Sequence, residues 1–272
     1  MISKTMKTMS NALCGAALMA SSALAQDLPE PTIDKDTRGF SIGMSAEEVL
    51  NLIQADFPNA RPHITKSHHP QSRQEFIYGI NLIAGNEKVW FYFTGHYSGN
   101  RLYSLRREAR FPQGERPLAA DTRQQLLSKY GFPSSAGGHT LFYYYNEDEI
   151  ILYGSDEELA PLLDTDVWQA YGFSDLANAK GYDITRQLEH SQCPKNIEWV
   201  QNGQAYFPLN PNPPMSEDCM AAMTIEASSA DGLLAYLRVN IGDFRFVAES
   251  ALIDQEMDIK PTETPSGEDA KL

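Results

Sequence analysis

The 272-residue chain is strongly acidic, with 36 Asp and Glu residues against 22 Lys and Arg and a formal net charge of −14. This surplus of negative charge argues against binding to nucleic acid or to an anionic membrane surface, because both require clustered Lys and Arg. Apolar residues make up 42% of the chain and aromatic residues 10%, which is enough to build a folded core.

The first 25 residues have the three parts of a cleavable signal peptide. Lys4 and Lys7 precede an apolar stretch over residues 12–20, and Ala23-Leu24-Ala25 offers the small residues that a signal peptidase reads. The apolar stretch is shorter than the roughly 20 residues that span a bilayer. We therefore expect export to the periplasm or the medium. The mature chain should have no transmembrane segment, and its 20 basic and 36 acidic residues give a net charge of −16.

Two cysteines, Cys193 and Cys219, remain after the predicted cleavage. In an oxidising compartment an even pair of cysteines predicts a disulfide. The bridge would close a loop that contains the proline-rich segment 210–214, with a stabilisation of about 3–4 kcal/mol in the chain-entropy model. A redox or metal-binding pair is the alternative, but the spacing matches neither C-x-x-C nor a zinc motif.

A first α+β unit is predicted over residues 38–115, after a flexible lead-in at 26–37. Its helix begins at Ser45, because Ser45 and Glu48 have the spacing of a capping box. Three strands at 75–83, 88–94 and 101–111 follow, separated by turn residues, and are typical of an antiparallel meander.

A second α+β unit, which includes the predicted disulfide, is expected over residues 116–257. Asp121 is the predicted N-cap of its first helix, and Gly131 is the predicted C-cap. A disordered tail is expected at 258–272. The further elements are strands at 140–145, 149–153, 197–207, 219–227 and 233–239, and helices at 167–179, 184–190 and 244–257.

The order of these elements, a helix and then antiparallel strands, occurs twice. It predicts an α+β fold with helices packed on antiparallel sheets, arranged as two tandem units.

Aromatic residues dominate two of the predicted strands, at 90–93 and 142–145. Alternate residues of a strand face opposite sides, so each strand offers one aromatic face to the core and another to the outside. Such faces either pack within the protein or bind a protein or glycan, since Tyr and Trp are common interface anchors. The candidate binding face consists of Trp90, Tyr92, Arg106, Arg110, Tyr143 and Tyr145.

Three histidines, His63, His68 and His69, lie in a stretch that we expect to be a solvated loop. They are weak candidates for a divalent metal site, because no carboxylate or cysteine in the same segment completes a four-ligand set. We therefore predict no metal and no cofactor.

No residue stands out as a catalytic nucleophile. The chain has no Gly-x-Ser-x-Gly elbow, no H-E-x-x-H motif and no phosphate-binding glycine loop. The sequence therefore favours a non-catalytic module that binds a protein or an envelope component. An exported hydrolase and a periplasmic metal or small-ligand binder are the alternatives.

The stretch Gly43-Met44-Ser45-Ala46-Glu47-Glu48-Val49 resembles the helix start of exported α+β modules. It is similar to the outer-membrane-assembly lipoproteins of SmpA/BamE type and to the tandem repeats of β-lactamase-inhibitor proteins. The region 129–133 and the cysteine pair resemble exported bacterial proteins of the periplasm. The resemblance implies helices on an antiparallel sheet, no catalysis and action through protein contacts. The chain departs from the lipoproteins because no lipobox precedes Cys14.

Overall fold

The computed structural model describes residues 28–131, 133–137, 140–146, 149–150 and 219–259, and these form an α+β fold. The class predicted from the sequence is therefore confirmed. The elements in chain order are β1 (Asp36–Thr37), β2 (Phe40–Ser41), α1 (Ala46–Asp56), β3 (His63–His68), β4 (Glu75–Ala84), β5 (Glu87–Phe93), β6 (Leu102–Arg110), α2 (Ala119–Tyr130), β7 (Ser135–Gly137), β8 (Thr140–Asn146), β9 (Glu149–Ile150), β10 (Ala221–Ala230), β11 (Leu233–Asp243) and α3 (Phe244–Ile259).

Nine strands form one antiparallel sheet in the order β3-β4-β5-β6-β11-β10-β8-β7, with β9 paired to β8. The meander predicted at 75–111 corresponds to β4, β5 and β6. Strand β6 then pairs with β11, which joins the first-unit strands to those of the second predicted unit. Within the described part of the chain, no helix is long and apolar enough to cross a membrane.

The strand register sorts side chains onto two faces of the sheet, because successive residues of a strand alternate in direction. One row across six strands is fully buried and forms the centre of the core. The row offset from it by one residue lies on the opposite face. The buried row consists of Ile80, Phe91, Leu105, Ile241, Met223 and Tyr143, and the opposite row of Asn81, Trp90, Arg106, Asn240, Thr224 and Phe142.

Helix α1 begins at the predicted capping box. The Ser45 hydroxyl accepts a hydrogen bond from the Glu48 N–H, and the Glu48 carboxylate accepts one from the Ser45 N–H. Val49 and Ile53 are buried in the core. Gly43 precedes the cap with φ at +89°, and a Cβ there would lie 2.6 Å from the Pro31 ring. The glycine of this motif is therefore required by the backbone and by close packing.

Helix α2 begins two residues before the predicted cap, so the prediction for Asp121 is wrong. The N-cap is Leu118, which has no side-chain cap bond and instead pairs as an isolated bridge with Leu233. Tertiary pairing with the β10–β11 turn thus fixes the helix start. The predicted C-cap Gly131 is confirmed, with φ at +80° and its N–H bonded to the Leu127 carbonyl.

The lead-in that was expected to be flexible is packed against the protein at its centre. Thr32 and Ile33 are 1% exposed, and Thr32 donates hydrogen bonds to the Asp243 carboxylate from its N–H and its hydroxyl. Arg245 also donates to the Glu30 carbonyl. The segment is ordered because its polar groups form hydrogen bonds with residues at the junction between β11 and α3.

The histidine stretch is a strand rather than the expected loop. Residues 63–68 form β3, which pairs with β4 along one edge of the sheet. The C-terminal helix is confirmed, although α3 runs to Ile259 and so includes the first two residues of the predicted tail. The predicted signal peptide, the helices at 167–179 and 184–190, the strand at 197–207 and the tail from residue 260 lie outside the described residues.

Candidate binding surface

A cluster of arginine and aromatic side chains lies on the sheet face opposite the buried row. Strand register places Trp90 beside Arg106, Glu108 beside Arg238, and Arg110 beside Tyr236. These residues alternate along β5, β6 and β11, so their side chains share one face. We call these six residues the Arg–aromatic patch. Lys88 and Tyr92 on β5 and Glu226 on β10 border it.

Arginine–aromatic contacts organise the patch. The Arg106 guanidinium carbon lies 5.1 Å from the Trp90 ring centroid. The Tyr236 ring lies beside two guanidinium groups, with Arg238 at 5.3 Å and Arg110 at 5.9 Å. These distances are within the range of cation–π attraction, worth about 0.5–1 kcal/mol per contact at exposed sites.

An ion-pair ladder crosses the same face from β6 to β10. Arg106 donates to the Glu108 carboxylate through its Nε and Nη2 atoms. Arg238 donates to the same oxygen at 3.0 Å and to Glu226 at 2.7 Å. The Glu108 side chain is only 10% exposed, whereas the Arg106 and Arg238 side chains are 31% and 30% exposed. The carboxylate therefore fixes two guanidinium groups that remain accessible to solvent.

The pKa values of the patch reflect this arrangement. Burial raises the pKa of Glu108, but the hydrogen bonds and charges of Arg106 and Arg238 outweigh it and hold the pKa below its usual value of 4.5. Burial also raises the pKa of Tyr92 and Tyr236, with a partial offset from the neighbouring arginines. At neutral pH the ladder is therefore ionised and both phenols are neutral.

Four of the six candidate face residues lie together, and two do not. Tyr92 is half-buried next to Trp90, and Arg110 is exposed at the end of β6. Tyr143 and Tyr145 are fully buried, and the Tyr143 ring packs 6.3 Å from Tyr130 of α2. These two tyrosines are therefore core residues, which corrects the expectation that they belong to an exposed face. The pairing of Tyr143 with Met223 and of Tyr145 with Ala221 in β10 places both tyrosines in the core.

Three residues of the patch were not predicted from the sequence: Glu108 of β6, and Tyr236 and Arg238 of β11. Tyr236 and Arg238 pair with residues more than 120 positions earlier, and no local pattern reports such a pairing. A usable signal was present nevertheless. In β11, the polar or aromatic residues 236, 238 and 240 alternate with Leu237, Val239 and Ile241, which is the period of a two-faced strand.

The three candidate metal ligands are not brought together. His63 and His68 are exposed on the edge strand β3, whereas His69 is 1% exposed. His68 lies 3.8 Å from the Glu75 carboxylate. Among the residues that the structure describes, no group of three or more His, Cys, Asp or Glu side chains could hold a metal ion.

His69 instead belongs to a buried contact between α3 and the β5–β6 connection. Its ring packs 4.9 Å from Phe76 and 4.8 Å from Tyr97, and its Nε2 atom accepts the His96 N–H at 3.1 Å. Burial lowers the pKa of His69, although Asp254, 3.6 Å away, opposes this shift. The neutral His69 ring is held in place by its neighbours. To act as a general base, His69 would have to give up the hydrogen bond that its Nε2 atom accepts from His96.

Asp254 anchors the same connection to α3. Its carboxylate is 2% exposed and accepts hydrogen bonds from the N–H groups of Gly95, Tyr97 and Ser98 and from the Ser98 hydroxyl. One turn later, Asp258 accepts the N–H groups of residues 71 and 72. The Asp254 carboxylate satisfies backbone donors of Gly95 and Ser98 that would otherwise be buried without a partner. The arrangement is structural.

Cys219 is fully buried immediately before β10, and its predicted partner Cys193 lies outside the described residues. The disulfide therefore stays a prediction.

Comparison with family models, with curated proteins and with solved structures gives no match to this chain.

Proposed function

We propose that this chain is an exported, non-catalytic binding protein that contacts a partner protein or envelope component through the Arg–aromatic patch. The observation that carries the proposal is the fixed, half-exposed array of Trp90, Arg106, Arg238 and Tyr236 across three adjacent strands. Trp, Tyr and Arg are the residue types that contribute most to protein interfaces.

Pre-organisation supports the proposal. Ordering a long arginine side chain at an interface costs about 0.5–1.5 kcal/mol. Arg106 and Arg238 are already held by Glu108, and Arg106 also lies against the Trp90 ring. A partner that meets this surface would bind guanidinium groups already restrained in one geometry, so less of the interaction energy would be lost to ordering.

The proposal includes export and a disulfide. The basic start, the short apolar stretch and the Ala23-Leu24-Ala25 site support cleavage of a signal peptide and release into the periplasm or the medium. Burial of Cys219 next to β10 is compatible with a structural bridge to Cys193 and would not suit a reactive thiol.

The proposal also includes an origin as two tandem units. Helix α1 precedes β3, β4, β5 and β6, and helix α2 precedes β7, β8, β10 and β11. The sheet order runs inwards from β3 to β6 and then outwards from β11 to β7, so each unit contributes its last strand to the centre. Duplication of one helix-and-strands unit would produce this symmetry, and the patch would lie across the junction.

The test is capture of partners from the native cell envelope with mature protein and matched variants. Trp90→Ala and Tyr236→Ala should each lose the partner that the unaltered protein retains. Phe57→Ala is the control, because the Phe57 ring also lies beside a guanidinium group, with the Arg38 guanidinium carbon 4.9 Å from the ring centroid. This contact is away from the patch, since Arg38 pairs with Glu87 on the core face of the sheet. Thermal melts establish that all three variants fold.

Equal retention of the partner by folded Trp90→Ala and Tyr236→Ala protein would contradict the proposal. A partner lost only in Phe57→Ala would move the binding surface to the core side of the sheet.

A further inference from the structure

The Arg–aromatic patch is positively charged in a chain that is otherwise strongly acidic. Its six residues include three arginines and one glutamate, and Lys88 and Glu226 at its border add one charge of each sign. The chain as a whole carries 36 acidic and 22 basic residues. A local surplus of two positive charges on a protein of net charge −14 stands out from the surrounding surface and attracts anions to this face.

The guanidinium groups of the patch keep donors for a ligand. Arginine has five N–H donors, and the ladder uses two of those on Arg106 and two of those on Arg238. Within the described ranges, Arg110 and Lys88 have no carboxylate within ion-pair distance, and both side chains are exposed. The patch therefore offers two fixed guanidinium groups and, on the same face, two exposed cations without an ion-pair partner among the described residues.

We infer, on the basis of the proposed function, that the partner presents an acidic protein segment, rich in Asp or Glu, to this patch. Carboxylates match the remaining guanidinium donors in geometry and charge. Ile83, 67% exposed on the same face beside Lys88, supplies an apolar contact that a protein segment can use. The rings of Trp90 and Tyr236 already lie against guanidinium groups, so an acidic polysaccharide that needs ring stacking fits less well.

The probe is fluorescein-labelled poly-L-glutamate, titrated with the mature protein at low salt and followed by fluorescence anisotropy. Binding is the expected result, although protein and probe are both negative overall. The Arg110→Glu/Lys88→Glu variant should bind about tenfold more weakly or worse, because close interfacial charge pairs make a contribution of that size. Raising the salt concentration should weaken binding, since it screens exposed charges.

The control is Arg61→Glu, a charge reversal at an exposed arginine in the connection between α1 and β3. It should bind poly-L-glutamate as the unaltered protein does. Equal weakening by Arg61→Glu would mean that net charge alone governs binding and would overturn the inference.

Two further outcomes would also overturn it. One is the absence of binding to poly-L-glutamate at low salt. The other is equal or tighter binding of polygalacturonate, which would assign the patch to an acidic polysaccharide. The proposed function is judged separately, because Trp90→Ala can lose the envelope partner whether or not polyglutamate binds.

Discussion

Replacement of Asp254 should release α3 from the β5–β6 connection. In Asp254→Ala, the N–H groups of Gly95, Tyr97 and Ser98 lose their acceptor in a buried place. Each buried donor left without a partner costs about 1–3 kcal/mol, so the summed loss is on the order of 4 kcal/mol after partial relaxation. For a chain of this length each kcal/mol lowers Tm by roughly 2–4 °C, which gives a fall of about 8–16 °C.

Asp254→Asn separates the loss of hydrogen bonding from the loss of packing. The amide keeps one oxygen, so the Tyr97 and Ser98 N–H groups retain an acceptor, while the Gly95 N–H then faces an amino group. We expect a smaller loss than in Asp254→Ala, on the order of 2 kcal/mol.

The measurement is urea unfolding at pH 7, with a thermal melt for comparison. Glu249→Gln is the control, because it makes the same carboxylate-to-amide change at a half-exposed position of α3. The reasoning would be refuted if Asp254→Ala and Glu249→Gln had the same free energy of unfolding. It would also be refuted if Asp254→Asn were as stable as the unaltered protein while Asp254→Ala was destabilised, since cavity formation would then explain the loss.

Two other predictions follow from particular contacts. Ser45→Ala should lower the free energy of unfolding by about 1 kcal/mol, because the Glu48 N–H loses its cap acceptor, and an unchanged urea midpoint would contradict this. Glu108 has a folded-state pKa below 4.5, so its stabilising effect should be complete above that pH and disappear as pH falls through the lowered pKa. Glu108→Gln should therefore be less stable than the unaltered protein by about 1 kcal/mol at pH 7. The difference should vanish in acid, and a difference independent of pH in urea titrations from pH 7 to pH 3 would contradict the role of the ladder.

The elements that could be predicted are those fixed by local chemistry. Ser45 and Glu48 lie three residues apart and form the capping box through local contacts, independently of what α1 packs against. Gly131 ends α2 because glycine readily adopts the positive φ found there.

The elements that could not be predicted depend on contacts between distant parts of the chain. The start of α2 is set by the pairing of Leu118 with Leu233, so the local cap signal at Asp121 is overridden. Strand β3 lies at the edge of the sheet and is exposed along most of its length. Its sequence therefore has no alternation of apolar and polar residues that would indicate a strand. Its strand character comes from pairing with β4.

The candidate face could be predicted only in part for the same reason. Alternation within β5 correctly placed Trp90 and Tyr92 on one face. For β8 the sequence offered two aromatic faces, and both are buried, with Tyr143 and Tyr145 on one face and Tyr144 on the other. Arg238 joins the patch through β6–β11 pairing across 130 residues.

Site-specific photo-crosslinking tests the central claim most directly, because it reports where a partner lies on the folded protein. A photoreactive phenylalanine analogue is placed at Lys88 beside the patch and, as a control, at Gln54, which is exposed on α1. The account predicts one crosslinked partner from position 88 in the native envelope, suppressed by Tyr236→Ala, and none from position 54. Crosslinking of that partner from position 54 but not from position 88 would contradict it.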